Sequence, residues 1–315
     1  MEGQVIRMEC KEVNSLDEVI RLIEAEYSTR NLGEYKPELG YKSSNKLHAF
    51  GNPELDSKTH ILKQLPEARK QELVTYRVHL PLINSQFEFD RLQLPELTDC
   101  FHSTDFSYIL IPYYGKNQFD FNTDDITLAE DVVDIVMDLA TIDVETVIKG
   151  GSTYDYQGFE SEFWMSFDNA VEIGLIHDDE GAFRKKAGEI LVAARNSQQM
   201  IISNGDFNPR NVIRLPNSML VLIDWDGIVS PLEHHLAYPW LLNWQNKDWQ
   251  RVYASRFEER LPVIKENLRM NLMKISLSRA VDEKGHNNDF ADQMAEDHLR
   301  NFHSSLDGFD SLTAL

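Results

Sequence analysis

Cysteine is nearly absent from these 315 residues: Cys10 and Cys100 are the two present. They are too few for a disulfide framework and have no metal-ligand spacing, which points to a reducing compartment. No apolar run approaches the ~20 residues that span a bilayer, and Met1-Glu2-Gly3 opens no basic, apolar signal segment. The chain is therefore expected to be cytoplasmic. Positive charge is also scarce, 31 Lys and Arg against 52 Asp and Glu, for a net charge of −21. Nucleic acid and anionic membranes both require a basic face, so neither is an expected partner. A cationic small molecule would suit the surface, although acidity of this size more commonly serves solubility. There is no GxGxxG loop and no internal repeat. Bulk composition, 42% hydrophobic and 10% aromatic, is that of a globular protein long enough for one two-lobed unit or two modest domains.

What is present concentrates in Asn204-Gly205-Asp206-Phe207-Asn208-Pro209-Arg210-Asn211, followed by Ile223-Asp224-Trp225-Asp226. An Asp and an Asn five positions apart, then a hydrophobic strand ending in a second Asp, have the spacing of a phosphoryl-transfer loop. Asp206 would accept or orient the acceptor hydroxyl proton. Asn211 and Asp224 would hold Mg2+, a hard cation satisfied by a carboxylate, a carboxamide, waters and phosphate oxygens. Met200-Ile201-Ile202, Val212-Ile213-Arg214 and Met219 to Ile223 read as short strands. Leu215-Pro216-Asn217-Ser218 has hairpin-turn chemistry, which sets Asn211 and Asp224 side by side. Singly, each residue also reads as an ordinary turn or cap residue.

These residues resemble the aminoglycoside phosphotransferase and choline kinase-like family, whose motif runs approximately HGDxxxxN and then IDW or IDF. The resemblance covers most of the chain. It implies an α+β, two-lobed protein-kinase-like fold, an ATP or GTP donor, magnesium, and a small-molecule hydroxyl acceptor. Asp206 maps to the catalytic aspartate, and Asn211 and Asp224 map to the metal ligands. Asn204 replaces the usual His, and His235, in Pro231-Leu232-Glu233-His234-His235-Leu236-Ala237, replaces an Asp. Those two departures prompt an alternative reading as a pseudokinase, a nucleotide-binding regulatory protein without phosphotransfer. A short path from Asp224 to Pro231 leaves no room for a protein kinase's activation segment.

Such a fold needs a strand lysine for the nucleotide phosphates and a helix glutamate to hold it. Lys63 closes the strand His60-Ile61-Leu62, and the helical stretch from Glu67 to Ile83 supplies Glu72, with Glu67 as the alternative. A surface lysine and a solvated helix glutamate would look the same by sequence. Gly40 to Phe50 reads as strand, turn, strand and is similar to the family's nucleotide loop, with Ser44 and Asn45 in its turn. Phe106 to Gly115 is an apolar strand running into a Pro/Gly break. It would be the hinge, offering adenine the backbone groups near Ile111 and Tyr113.

The expected division is 1–115, an N-terminal nucleotide-binding lobe, and 116–315, a helical lobe carrying the catalytic loop and acceptor site. Ser15-Leu16-Asp17-Glu18 is a capping box opening an N-terminal helix. Helical spacing recurs from Ile126 to Leu139, Glu162 to Ile176, Glu180 to Arg195, and beyond Ser230. Trp240, Leu241, Trp244, Trp249, Phe257 and Leu261 read mostly as core. Glu233, Asp226 and the 154–165 segment are the acceptor-side candidates. Adjacent His234 and His235 point in different directions on a helix and are unsuited to sharing a metal ion.

Overall fold

A computed structural model describes residues 8–36, 46–55, 57–115, 127–148, 156–177, 181–193, 199–205, 207, 211–242, 246–260, 265–286 and 289–307. The chain separates into two compact units: Met1–Phe119 with Thr146–Lys149 and Ile202–Ile228, and Asp120–Glu145 with Gly150–Ile201 and Val229–Leu315. Relative to the 1–115 and 116–315 division, the first unit thus also takes in 116–119, 146–149 and 202–228.

The first unit is built on a six-stranded sheet: β1 (Lys11–Glu12), β2 (Arg30–Glu34), β3 (Leu47–Asn52), β4 (Ser57–Pro66), β6 (Asp99–His102) and β7 (Phe106–Pro112), in the order β1-β6-β7-β4-β3-β2. β1 runs parallel to β6 and the other pairs are antiparallel. Side chains alternate across a strand, so neighbouring residues of β4 serve opposite faces. Leu62 joins Phe50, Phe101, Tyr108 and Leu110 against Val19 and Ile23 of helix α1 (Leu16–Glu26). Lys63 therefore points to the other face.

Helix α1 starts as a variant of the capping box. Ser15 Oγ accepts from the Glu18 N–H at 3.3 Å, but Glu18 reaches back one residue further, to the Asn14 N–H at 2.8 Å. After β4 the chain runs through a short 3-10 turn (Glu67–Arg69), α2 (Lys70–Val74), a π-helical turn (Thr75–His79) and α3 (Leu80–Gln86). The widened turn ends two residues before Pro81, which has no N–H to return to the carbonyl four residues earlier.

A second, three-stranded sheet pairs the hairpin of β9 (Val212–Arg214) and β10 (Leu220–Leu222) with the two-residue β5 (Leu92–Gln93), parallel to β10. That pairing is one of the ties that bring 211–223 into the first unit. The hairpin turns through Ser218 in the left-handed region (φ 67°), with the Asn217 carboxamide accepting from Met219 N–H at 3.1 Å.

The second unit is helical: α4 (Thr127–Ala140), α6 (Tyr156–Glu172), α7 (Ala182–Ala193), α8 (Leu232–Leu242), α9 (Lys247–Arg260), α10 (Lys265–Lys284) and α11 (Asp289–Asp307), with the short α5 (Val144–Val147) at the division. α10 is central, packing on α6, α7, α8 and α11. Its Met270, Met273 and Leu277 meet Phe159, Phe163, Phe167 and Phe302 in one apolar cluster. Trp240, Leu241, Trp249 and Phe257 are buried, as a core reading requires, while Trp244 and Leu261 lie outside the described residues. Among the described residues no helix is long and apolar enough to cross a membrane. The chain passes between the units within β8 (Met200–Ser203) and β11 (Ile228–Pro231).

Candidate functional site: a buried lysine between two carboxylates

Lys63 is only 6% exposed, which excludes an ordinary surface lysine, and Glu72 is fully buried. The Lys63 ammonium bonds both the Glu72 and Asp224 carboxylates. Register explains how they meet. Lys63 lies opposite Ile109 of β7 on the face away from α1, and Glu72 sits in the first turn of α2, nine residues on. Asp224 lies two residues past the end of β10. Glu67, the alternative partner, is exposed and pairs with Lys70.

The charges do not balance. Burial pushes the Glu72 carboxyl up to about 7 despite the attraction of Lys63, and the nearby Asp224 and Asp226 add to the rise. For Lys63, burial works against its charge, but Asp224 and Glu72 outweigh it and hold it above the ordinary lysine range. The ammonium is therefore the fixed charge of the group, and Glu72 is the member that burial makes reluctant to ionise.

Asp224 adopts a left-handed backbone conformation (φ 65°), uncommon for a residue with a side chain. Surrounding bonds hold it. Trp225 is fully buried, with its indole N–H donating to the Leu222 carbonyl, and its backbone hydrogen-bonds the Tyr76 side chain. Thr75 Oγ1 donates toward the Asp226 carbonyl at 3.3 Å. Gly227, also left-handed (φ 68°), lets the chain pass Thr75, whose Oγ1 would stand 2.4 Å from an added Cβ.

Asn211 is buried, and its carbonyl accepts from the Ile223 N–H at 2.7 Å, which sets it beside the residue preceding Asp224. A carboxamide and a carboxylate at the open end of one hairpin are the hard oxygen donors that Mg2+ accepts, so the donor set fits that ion. Asn204 ties the preceding loop to the same segment. Its Nδ2 donates to the Ile223 carbonyl at 3.2 Å, and its own carbonyl accepts from the Asp226 N–H at 3.3 Å. The residue standing where the resembling family has His thus carries two links between the loop and the Asp224 turn. Asp206 itself lies outside the described residues. Of its neighbours, Gly205 takes a positive φ (79°) and Phe207 is buried.

The β7 strand narrows the hinge reading. The Tyr113 N–H donates to the Thr59 carbonyl at 2.8 Å, and Ile111 lies opposite Ile61 in the same ladder. Both residues therefore turn their backbone groups toward β4. Across the trans peptide that joins Pro112 to Tyr113, the Pro112 carbonyl points the opposite way, off the free side of the strand past β6. Ser44 and Asn45 lie outside the described residues.

In the helical unit, Glu233 and His235 are buried. His235 pairs with Ser230 at 2.7 Å and His234 with Asn271 at 3.1 Å, so the two imidazoles diverge. Burial lowers both, His234 to about 4, and keeps them neutral. Asp226, an acceptor-side candidate by sequence, lies near Glu72, and the residues that sequence did not single out are Gly227, Thr75 and Tyr76. An Asp-Gly pair after a strand is the signal that was available.

The fold is protein-kinase-like, an α+β chain with a β-rich N-terminal region and a helical C-terminal region. Among solved structures, the chain is similar to the GDP and kanamycin complex of APH(2")-IIIa, at 12% identity and a TM-score of 0.62, covering 92% of this chain and 99% of that one. It is also similar to spectinomycin phosphotransferase APH(9)-Ia with ADP and spectinomycin, at 12% identity, TM-score 0.59, and 91% and 93% coverage. A third is macrolide 2'-phosphotransferase MphH from Brachybacterium faecium, at 13% identity, TM-score 0.56, and 90% and 98% coverage. No protein-family model and no curated protein matches the sequence.

Proposed function

We propose that this chain is a small-molecule kinase that transfers the γ-phosphate of a nucleoside triphosphate to an acceptor hydroxyl. The observation that carries the reading is the buried Lys63 ammonium held by Glu72 and Asp224, with Asn211 beside the Asp224 turn. A lysine buried with two carboxylates is costly unless the charge has work to do.

In this reading Lys63, steadied by Glu72, neutralises the nucleotide phosphates, and Asn211 and Asp224 would hold Mg2+, which when bound would supply further charge neutralisation for the transferred phosphoryl group. Asp206 orients the acceptor hydroxyl and takes its proton as the new oxygen–phosphorus bond forms and the bond to the β-phosphate oxygen breaks, releasing the nucleoside diphosphate. The chain's share is positioning and preorganised charge. The Pro112 carbonyl, and the Tyr114 N–H two residues later, would read the edge of the purine. A carbonyl in that place accepts from the exocyclic amine of adenine and faces the carbonyl of guanine, which favours ATP. The acceptor is a hydroxylated small molecule, and the net charge of −21 favours a cationic one.

The deciding experiment is magnesium-dependent transfer of labelled γ-phosphate from ATP or GTP to a pooled library of hydroxylated metabolites and aminoglycosides. A labelled product that disappears with Asp206→Asn supports the kinase. Magnesium-nucleotide binding with no transfer to any pool would favour the regulatory, non-transferring reading, and absence of nucleotide binding would overturn both.

A further inference from the structure

The chain's two cysteines, 90 residues apart, are neighbours in space. β1 pairs with β6 in parallel, Lys11 opposite Phe101 and Glu12 opposite His102. One step back in the same register sets Cys10 opposite Cys100. Side chains at matched positions do meet along this edge: the Lys11 ammonium lies 5.4 Å from the Phe101 ring centroid. The two thiols are within hydrogen-bonding reach of each other. Adjacent strands run about 4.7–4.9 Å apart, inside the ~4.4–6.8 Å Cα separation that a disulfide spans. The second strand is covered, with Cys100 buried, whereas Cys10 is half-buried and reachable from solvent.

We propose that Cys10 and Cys100 form a reversible, intrachain dithiol–disulfide pair at the edge of the nucleotide-side sheet. The roles divide by environment. Cys10 is the more exposed of the two, and the neighbouring Cys100 and the Arg77 guanidinium lower its pKa. The contact with Cys10 and burial raise that of Cys100. Cys10 is accordingly the attacking thiolate and Cys100 the resolving thiol. With a peroxide, Cys10 sulfur takes one oxygen to become the sulfenic acid, and the peroxide leaves as water. Cys100 sulfur then attacks Cys10 sulfur, releasing the oxygen as a second water, so two thiols and one hydrogen peroxide give one disulfide and two waters. The same crosslink forms from glutathione disulfide by two exchanges that release two glutathione thiols. The bond would fix residues 8–12 on β6. The Met8 carbonyl in that segment receives the Arg77 Nε–H at 2.8 Å, so the π-helical turn after α2 would be tied to the same clamp.

The test exposes the full chain to hydrogen peroxide or glutathione disulfide and reads thiol titration, intact mass and non-reducing peptide maps. The expected result is a monomer that loses two hydrogens, a thiol count falling from two to zero, a linked Cys10–Cys100 peptide, and full return with dithiothreitol. In Cys100→Ser the reaction should stop at a sulfenic acid or glutathione adduct on Cys10, and in Cys10→Ser the Cys100 thiol should survive the same exposure. Persistence of both thiols in the wild-type chain, or crosslinking between chains instead of within one, overturns the proposal. Because those two readings come from the wild type, they hold even if a variant folds poorly.

Discussion

Replacing Lys63 by Met removes the one cation that the Glu72 and Asp224 carboxylates share. Taking one partner from a buried ion pair costs about 3–5 kcal/mol, a large part of the ~5–15 kcal/mol that stabilises a typical domain. The loss should depend on pH, and its sign follows from Glu72. Its folded pKa is raised from 4.5 to about 7, so the stability it contributes is fully present below about 4.5 and is lost as pH rises through about 7. That difference is worth at most about 3 kcal/mol. Without Lys63 the closest cation on Glu72 is gone, leaving it the Arg69 guanidinium at 3.9 Å, and its pKa rises further. Lys63→Met should then be destabilised by several kcal/mol at about pH 8 and by clearly less at about pH 5.5, where Glu72 holds a proton and the remaining carboxylate faces a neutral neighbour. Urea denaturation of wild type and variant at both pH values measures this. Adding Glu72→Gln should recover part of the loss at the higher pH, a coupling of about 0.5–3 kcal/mol in a double-mutant cycle. A destabilisation under about 1 kcal/mol at pH 8, or one equal at both pH values, would refute the argument that a buried ammonium holds these carboxylates together.

Gly227→Ala should lose about 2–3 kcal/mol by thermal or urea unfolding, from left-handed strain plus collision with Thr75. Thr75→Ala in the same chain should restore the collision part and leave the strain; no restoration would show that Thr75 is not the obstacle. ATP should exceed GTP by about 5- to 150-fold in kcat/KM, since about 1–3 kcal/mol separates a paired from an unpaired purine edge at the Pro112 carbonyl. Equal use of both nucleotides in competition assays would discard that orientation. Ser15→Ala removes the α1 cap and should cost about 1 kcal/mol, read as a lowered urea midpoint with an unchanged slope.

The parts of the fold that were legible in the sequence are those written in local chemistry. Val212–Arg214 emerged residue for residue as a strand because apolar residues and a turn bracket it. The Lys63–Glu72 pairing was legible only through the distant Asn204–Asp224 motif, which leads one to expect a strand lysine held by a helix glutamate; by local pattern the same two residues are ordinary surface charges. Other features could not be read because their cause is remote. β5 is two residues long and exists only because β10 lies beside it. The π-helical turn ends two residues before Pro81, and the proximity of Asp226 to Glu72 is set by chain far from both. Phe106 to Pro112 was legible as a strand, but which of its carbonyls points away from β4 is a matter of ladder register, set by the Thr59–Tyr113 bond.

The ion pair between Lys63 and Asp224 spans 161 residues of chain, and this has a consequence for synthesis. The first unit is not contiguous: after Phe119 it waits for Thr146–Lys149 and then for Ile202–Ile228. At about 5–20 residues per second, the ribosome needs roughly ten seconds to deliver those segments. Meanwhile an N-terminal sheet emerges with a buried-to-be lysine opposite one reluctant glutamate, and with β5 lacking its neighbour. A fragment ending near Phe119 should therefore be a poor autonomous folder. The nascent chain spends that interval with its charge site half-built, dependent on whatever holds unfinished polypeptide in solution.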